Sequence, residues 1–145
     1  MRYATAEESF TVYEVNIGMT ANVGTFPRLV LIPEGVVREL CYTGRRMPAE
    51  EAKSAGLVNN VYPDHETMIT EVMKIAVEIA SKAPLAVYGC KRMINYARNH
   101  STADGLDYIS IWNASMLQPE EMIEAITANT EKRTGDFVDL PVKRA

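Results

Sequence analysis

Cysteine, histidine and tryptophan are scarce in this chain, with two Cys, two His and one Trp among 145 residues. Cys41 and Cys90 fall within apolar helical patterns and show no metal-like spacing. They read as small buried hydrophobes, which excludes a disulfide framework and points to a reducing compartment. His65 and His100 lie far apart with no partner cluster and read as surface residues. Ser101 and Ser115 have no histidine at a recognisable spacing, so a serine nucleophile is not supported. No metal-ligand spacing and no G-x-G-x-x-G run occur. Basic excess is absent too: 15 Lys and Arg stand against 19 Asp and Glu, a net charge of -4. That balance gives no reason to expect nucleic acid or an anionic membrane as partner. No apolar run is long enough to span a bilayer. The N-terminus has no basic region followed by an apolar stretch, so no signal peptide is expected. A cytoplasmic location is the expectation, or an organellar matrix in a eukaryote.

What is present is apolar residues, at 47% of the chain, enough to bury a core and argue against disorder. The length fits one ordinary domain. No internal repeat or low-complexity segment is visible. Phe10 and Val12 alternate with Ser9, Thr11 and Tyr13, which predicts a half-buried strand over Ser9–Tyr13. Ala21–Leu31 reads as a short helix or helical turn, with Pro27 tolerated only near its start. Pro33 opens a helix to about Thr43 with Val36, Val37, Leu40 and Cys41 on one face, and Gly44 ends it as a left-handed terminator. Pro48 opens a shorter helix that Gly56 ends. Leu57–Tyr62 is a predicted strand stopped by Pro63.

Helices dominate the remainder. Asp64 caps one running to about Lys82. Pro84 starts another with Val87, Cys90, Met93, Ile94 and Ala97 inward. Ser101 or Thr102 caps a third carrying Leu106, Ile109, Trp112 and Met116. Pro119, Glu120 and Glu121 open the last, which Gly135 and Asp136 break before a loose tail. Two or three short strands cannot form a self-sufficient sheet.

The stretch E-V-N-I-G-M-T-A-N-V-G-T (Glu14–Thr25) carries the chemistry-bearing candidates. A carboxylate just past a buried strand is poorly hydrated, and burial makes it a better base. Gly18 lets the backbone turn and approach a ligand, and Met19 can line a pocket for a flexible chain. Asn22, eight residues after Glu14, can cap the next helix or face the same pocket.

This stretch resembles the second acidic segment of the crotonase superfamily, the enoyl-CoA hydratases and isomerases. The similarity continues in G-T-F-P-R-L (Gly24–Leu29), L-C-Y-T-G-R-R-M (Leu40–Met47), A-E-E-A-K-S-A-G-L-V (Ala49–Val58), K-A-P-L-A-V (Lys82–Val87) and W-N-A-S-M-L-Q (Trp112–Gln118). No one of these motifs is specific; their order and spacing together are. The dienoyl-CoA isomerase branch is the most similar, and there the Glu is followed eight residues later by Asp.

The resemblance implies an α/β fold of the crotonase type, represented by its C-terminal half. Residues 1–83 would form the last part of the spiral core, 84–134 a helical layer packing between subunits of a trimer or hexamer, and 135–145 a tail. It implies isomerisation or hydration of an unsaturated acyl-CoA thioester, with Glu14 and Asn22 at the catalytic positions and Gly18 and Met19 toward the substrate. CoA would arrive with the substrate, so no separate cofactor is implied. Removing the proton alpha to the thioester needs a base within reach of the carbon and two N–H donors for the oxygen. The family's donors and its other acidic residue are expected from segments before Met1. Asn22 stands where the branch has Asp, and an amide does not exchange a proton near neutral pH. Lys91, Arg92 and Arg98 read as a solvated helix face, with a contact to CoA phosphates as the other reading. A non-catalytic domain that assembles through its helices, or binds acyl-CoA without turnover, is the alternative to an enzyme.

Overall fold

The computed structural model describes residues 1–21, 29 and 31–141. The chain packs as two compact units, residues 1–74 and 75–145.

In the first unit, strand β1 (Tyr3–Thr5) runs parallel to β4 (Asn60–Tyr62), with Tyr3 opposite Asn60, Ala4 opposite Val61 and Thr5 opposite Tyr62. A parallel pair needs a long crossover, and everything between the two strands supplies it. The Asn59 side chain extends the pairing by one step, accepting from Arg2 N at 2.7 Å. Strand β2 (Ser9–Phe10) pairs antiparallel with β3 (Met47–Pro48). The predicted strand over Ser9–Tyr13 is therefore only two residues long. Its partner begins only at Met47, opposite Phe10, so no strand residue stands opposite Thr11 to carry the ladder toward Tyr13. The next residues instead coil into a 3-10 turn, Tyr13–Ile17. The predicted strand Leu57–Tyr62 is likewise cut to Asn60–Tyr62: Leu57 N and Val58 N bond back to Ala52 O, closing the preceding helix.

Helix α1 (Glu34–Thr43) begins after Pro33 and ends at Gly44, whose φ of 60° is the expected left-handed terminator. Helix α2 (Ala49–Ser54) follows Pro48, and Gly56 turns the chain with φ 80°. Ala4, Val12, Leu29, Ile32, Leu40, Met47, Ala49, Ala52, Leu57 and Val58 form one buried cluster. Burying a side chain the size of Leu40 or Met47 is worth about 2 kcal/mol, so these residues hold both strand pairs and both helices to one centre. Arg45 ties the two helices from outside, its Nε donating to Glu39 at 2.7 Å and Nη1 to Glu51 at 2.9 Å. These bonds raise the Arg45 pKa and lower that of Glu51. The predicted helix Ala21–Leu31 falls almost entirely outside the described residues.

Helix α3 (His65–Ala80) starts at Asp64, whose Oδ1 accepts from Thr67 N at 2.7 Å. Its last turns belong to the second unit, with α4 (Pro84–Ala97), α5 (Thr102–Met116) and α6 (Pro119–Glu131). Ser101 and Asp104 form a reciprocal capping box at the start of α5, which settles the choice between Ser101 and Thr102. Helices α4 and α5 pack antiparallel. Tyr88 meets Trp112 at one end and Tyr96 meets Tyr108 at the other, with ring centroids 5.8 and 4.4 Å apart. Gly89 permits this approach, because a Cβ there would stand 2.7 Å from the Trp112 indole nitrogen. Helix α6 ends at Glu131, earlier than Gly135, because Lys132 adopts the left-handed conformation at φ 55°.

Burial in the second unit departs from expectation. Among its described residues only Gly89 and Ala128 are buried. The face predicted to point inward on α4 is open at Cys90, Ile94 and Ala97, and Cys90 is an exposed thiol rather than a buried hydrophobe. Leu106 and Ile94 are more than 60% exposed. Helical periodicity identifies the apolar face but does not say what covers it. No helix among the described residues is long and apolar enough to cross a membrane.

Candidate functional site

Glu14 is the second residue of the 3-10 turn, four positions beyond the end of β2. The expectation that it sits at the end of a strand is thus corrected: a turn, not a strand, presents it. Val12, two residues earlier, is 4% exposed and anchors the chain in the core. No residue of the turn itself is buried, and Glu14 is half-buried. Gly18 closes the turn at φ 74°, where L side chains are strained, and its N–H donates to Val15 O at 3.2 Å. Met19 N then donates to Glu14 O at 3.0 Å, and the Met19 side chain is exposed. Glu14, Gly18 and Met19 therefore share one reversal of the chain. Asn22 lies outside the described residues.

Two side chains fasten this reversal to the end of α1. Thr11 Oγ1 donates to Gly44 O at 3.0 Å, and Asn16 Nδ2 donates to the same oxygen at 3.2 Å. Cys41, three residues before Gly44, feels the arrangement. Burial raises its thiol pKa, and the Glu14 carboxylate raises it further. Neither Cys41 nor the Gly44 carbonyl was a site candidate, since nothing in the sequence links them to a glutamate some thirty positions earlier. Chemically, a half-shielded carboxylate on a pinned turn can accept and return a proton. Among the described residues no three His, Cys, Asp or Glu side chains gather as a metal site.

The second unit holds an apolar cleft of about 520 Å³ lined by residues of α4, α5 and α6, including Gly89, Met93, Trp112, Met116 and Met122. Glu14 is not part of its wall. Of the basic residues of α4, Lys91, Arg92 and Arg98 are all exposed, and Arg92 Nη2 donates to Tyr108 OH at 3.1 Å. His100 stacks on Tyr96 with ring centroids 3.7 Å apart.

The enoyl-CoA hydratase/isomerase family matches residues 1–140. The mitochondrial Delta(3,5)-Delta(2,4)-dienoyl-CoA isomerase of Homo sapiens is 42% identical over 135 residues, covering 92% of this chain and 41% of that protein. Carnitinyl-CoA dehydratase of Salmonella arizonae is 33% identical over 134 residues, covering 89% of this chain and 51% of that protein. The crystal structure of enoyl-CoA hydratase from Bacillus anthracis superposes with a TM-score of 0.87 at 32% identity, over 94% of this chain and 53% of that one. The chain thus spans about two fifths to a half of the length of the relatives it matches. The strand pairs and helices described above are part of an α/β crotonase-like fold, and the chain belongs to the enoyl-CoA hydratase/isomerase family.

Proposed function

We propose that this chain acts on an unsaturated acyl-CoA thioester and that Glu14 is the carboxylate that moves the proton. The reaction is a double-bond shift: Glu14 takes the proton alpha to the thioester carbonyl and returns it farther along the chain. Hydration would instead add the hydroxyl of water at the beta carbon of a 2-enoyl thioester and its proton at the alpha carbon, through the same enolate. The observation that carries the reading is the placement of Glu14 in the matched segment, half-buried on a turn that follows the core residue Val12. A pinned backbone keeps the carboxylate in position. CoA enters as part of the substrate, so the reaction draws on no further cofactor. The human relative's name places that protein in mitochondria, and a matrix location is proposed here as well.

Self-association belongs to the same proposal. Ile94, Leu106, Ile111, Ile123 and Ile126 are each more than 60% exposed, too much apolar surface for one unit to leave in water. A trimer or a dimer of trimers would cover it. Sedimentation at micromolar concentration reads this directly, and a monomer throughout the range would reject it.

The catalytic assignment is tested with Glu14→Gln. In a protein that joins this chain to the unmatched N-terminal segments of the human relative, conversion of a 3-enoyl-CoA to a 2-enoyl-CoA should fall by about two to four orders of magnitude, the usual contribution of a general base. Undiminished turnover would remove Glu14 from the mechanism. One observation favours a second reading: Asn22 is an amide where the similar branch has a carboxyl. A domain that binds acyl-CoA and assembles without turnover fits that substitution. It predicts equal acyl-CoA binding by wild type and Glu14→Gln, with no turnover in either.

A further inference from the structure

We infer that Thr11 and Asn16 are positioning residues for Glu14, acting as a two-pronged latch on the Gly44 carbonyl. The inference rests on the reading of Glu14 as the proton-moving group. The 3-10 turn carrying Glu14 has no side-chain cap hydrogen bond and no buried residue of its own. Val12 anchors the chain on the N-terminal side of Glu14. Thr11 lies just before that anchor, and Asn16 lies two residues after Glu14. Both donate to one carbonyl, Gly44 O, at 3.0 and 3.2 Å.

Gly44 is held on both sides of its Cα: Gly44 N donates to Leu40 O at 3.0 Å, with Leu40 2% exposed in the core, and Arg45 N, in the same peptide unit as the carbonyl, donates to Thr43 Oγ1 at 3.2 Å. A carbonyl oxygen has two lone pairs, so it can accept both donors at once. The latch thus refers the position of Glu14 to the buried face of α1, where Cys41 also sits. Gly44 is needed twice over. Its φ of 60° aims the carbonyl, and a Cβ would stand 2.5 Å from the Asn16 amide atoms.

The test uses the full chain in a Cys90→Ser background, so that Cys41 is the only thiol. The pH profile of Cys41 alkylation reports whether the Glu14 carboxylate stands beside it, because that charge raises the thiol pKa. Amide hydrogen exchange at Gly18 and Met19 reports opening of the turn. Glu14→Gln should move the alkylation midpoint down. Asn16→Ala and Thr11→Val should each move it the same way, and should speed exchange at Gly18 and Met19 by about three- to tenfold, as expected for one lost hydrogen bond. Thr11→Ser keeps the hydroxyl and should match wild type in both readouts.

Faster exchange with an unmoved alkylation profile would overturn the inference, because the turn would then be held without positioning the carboxylate. So would an unmoved profile in Glu14→Gln, or Thr11→Ser behaving as Thr11→Val. The catalytic reading fails separately, through turnover retained by Glu14→Gln. A latch that passes both readouts while that turnover persists would position a carboxylate with no catalytic part.

Discussion

Asn16 and Gly44 occupy each other's space: the Asn16 amide donates to the Gly44 carbonyl at 3.2 Å, and fills the place where a Cβ at position 44 would project. Glycine at 44 is therefore required by a neighbour as well as by its own backbone. Gly56 offers the contrast. It too has positive φ, 80°, but nothing lies within 4 Å of its missing Cβ.

Gly56→Ala should cost only the left-handed backbone, roughly 1–2 kcal/mol. Gly44→Ala should cost that plus the displaced Asn16 hydrogen bond, about 1 kcal/mol more. Urea melts of the two variants measure the difference. In an Asn16→Ala background the clash is gone, so Gly44→Ala should there cost no more than Gly56→Ala, a non-additivity that marks direct contact. Additive costs would show that Gly44 acts through its own backbone alone.

The end of α6 predicts a dependence on acid. Glu124 accepts from the Arg133 guanidinium and from Asp136 N, the latter at 2.8 Å. Those bonds hold its pKa at about 2, below the ordinary value of 4.5. A depressed carboxylate stabilises the fold fully above its unfolded pKa and loses that contribution as pH falls through its folded pKa. The loss should therefore run from about pH 4.5 down to about 2. Glu124→Gln should flatten the fall in stability over that window while leaving the pH dependence from 6 to 8 unchanged. An identical slope in wild type and variant would contradict the geometry.

Much of this architecture is legible from punctuation. Pro33, Pro84 and Pro119 each precede or open a helix, and Gly44 ends one, because missing N–H groups and positive φ are local properties. A cap at Ser101 or Thr102 was readable for the same reason, and the capping box with Asp104 makes it Ser101. Pairing partners were not readable. The alternation of Phe10 and Val12 suggested a strand through Tyr13, yet β2 stops where its two-residue partner stops, and that partner lies nearly forty positions away. Lys132 took the terminating role expected of Gly135, at a backbone conformation that non-glycine residues rarely adopt.

The candidate site divides in the same way. Glu14 and Gly18 stand out because the segment around them is similar to a family motif, and Gly18 has the positive φ that a turn requires. Thr11 and Asn16 were invisible as a pair. Their common acceptor is a backbone carbonyl, which has no sequence signature, and it lies 33 and 28 positions away. The face of α4 expected to point inward is open at Cys90, Ile94 and Ala97, because periodicity carries no information about what covers a face.

The last prediction concerns Asn22 and the dienoyl branch. In that branch two carboxyls share the work, one near the thioester and one at the far end of the conjugated system. An amide at 22 cannot deliver the far proton. The oxygen of the thioester also needs two N–H donors, and removing one such donor typically costs about two to three orders of magnitude in rate. The chain spans 41% of the human isomerase, and the donors are expected in the part of that protein it does not match. These 145 residues alone should therefore show little turnover of a 3,5-dienoyl-CoA, followed by its diene absorbance. Asn22→Asp should rescue little in that form. Joined to the unmatched N-terminal segments of the human relative, the same substitution should raise turnover about a hundredfold or more, the size of a general-acid contribution. Relative-like turnover by the unmodified 145 residues would show that the proton and the oxyanion are handled by other groups. A joined protein indifferent to Asn22→Asp would remove position 22 from the mechanism.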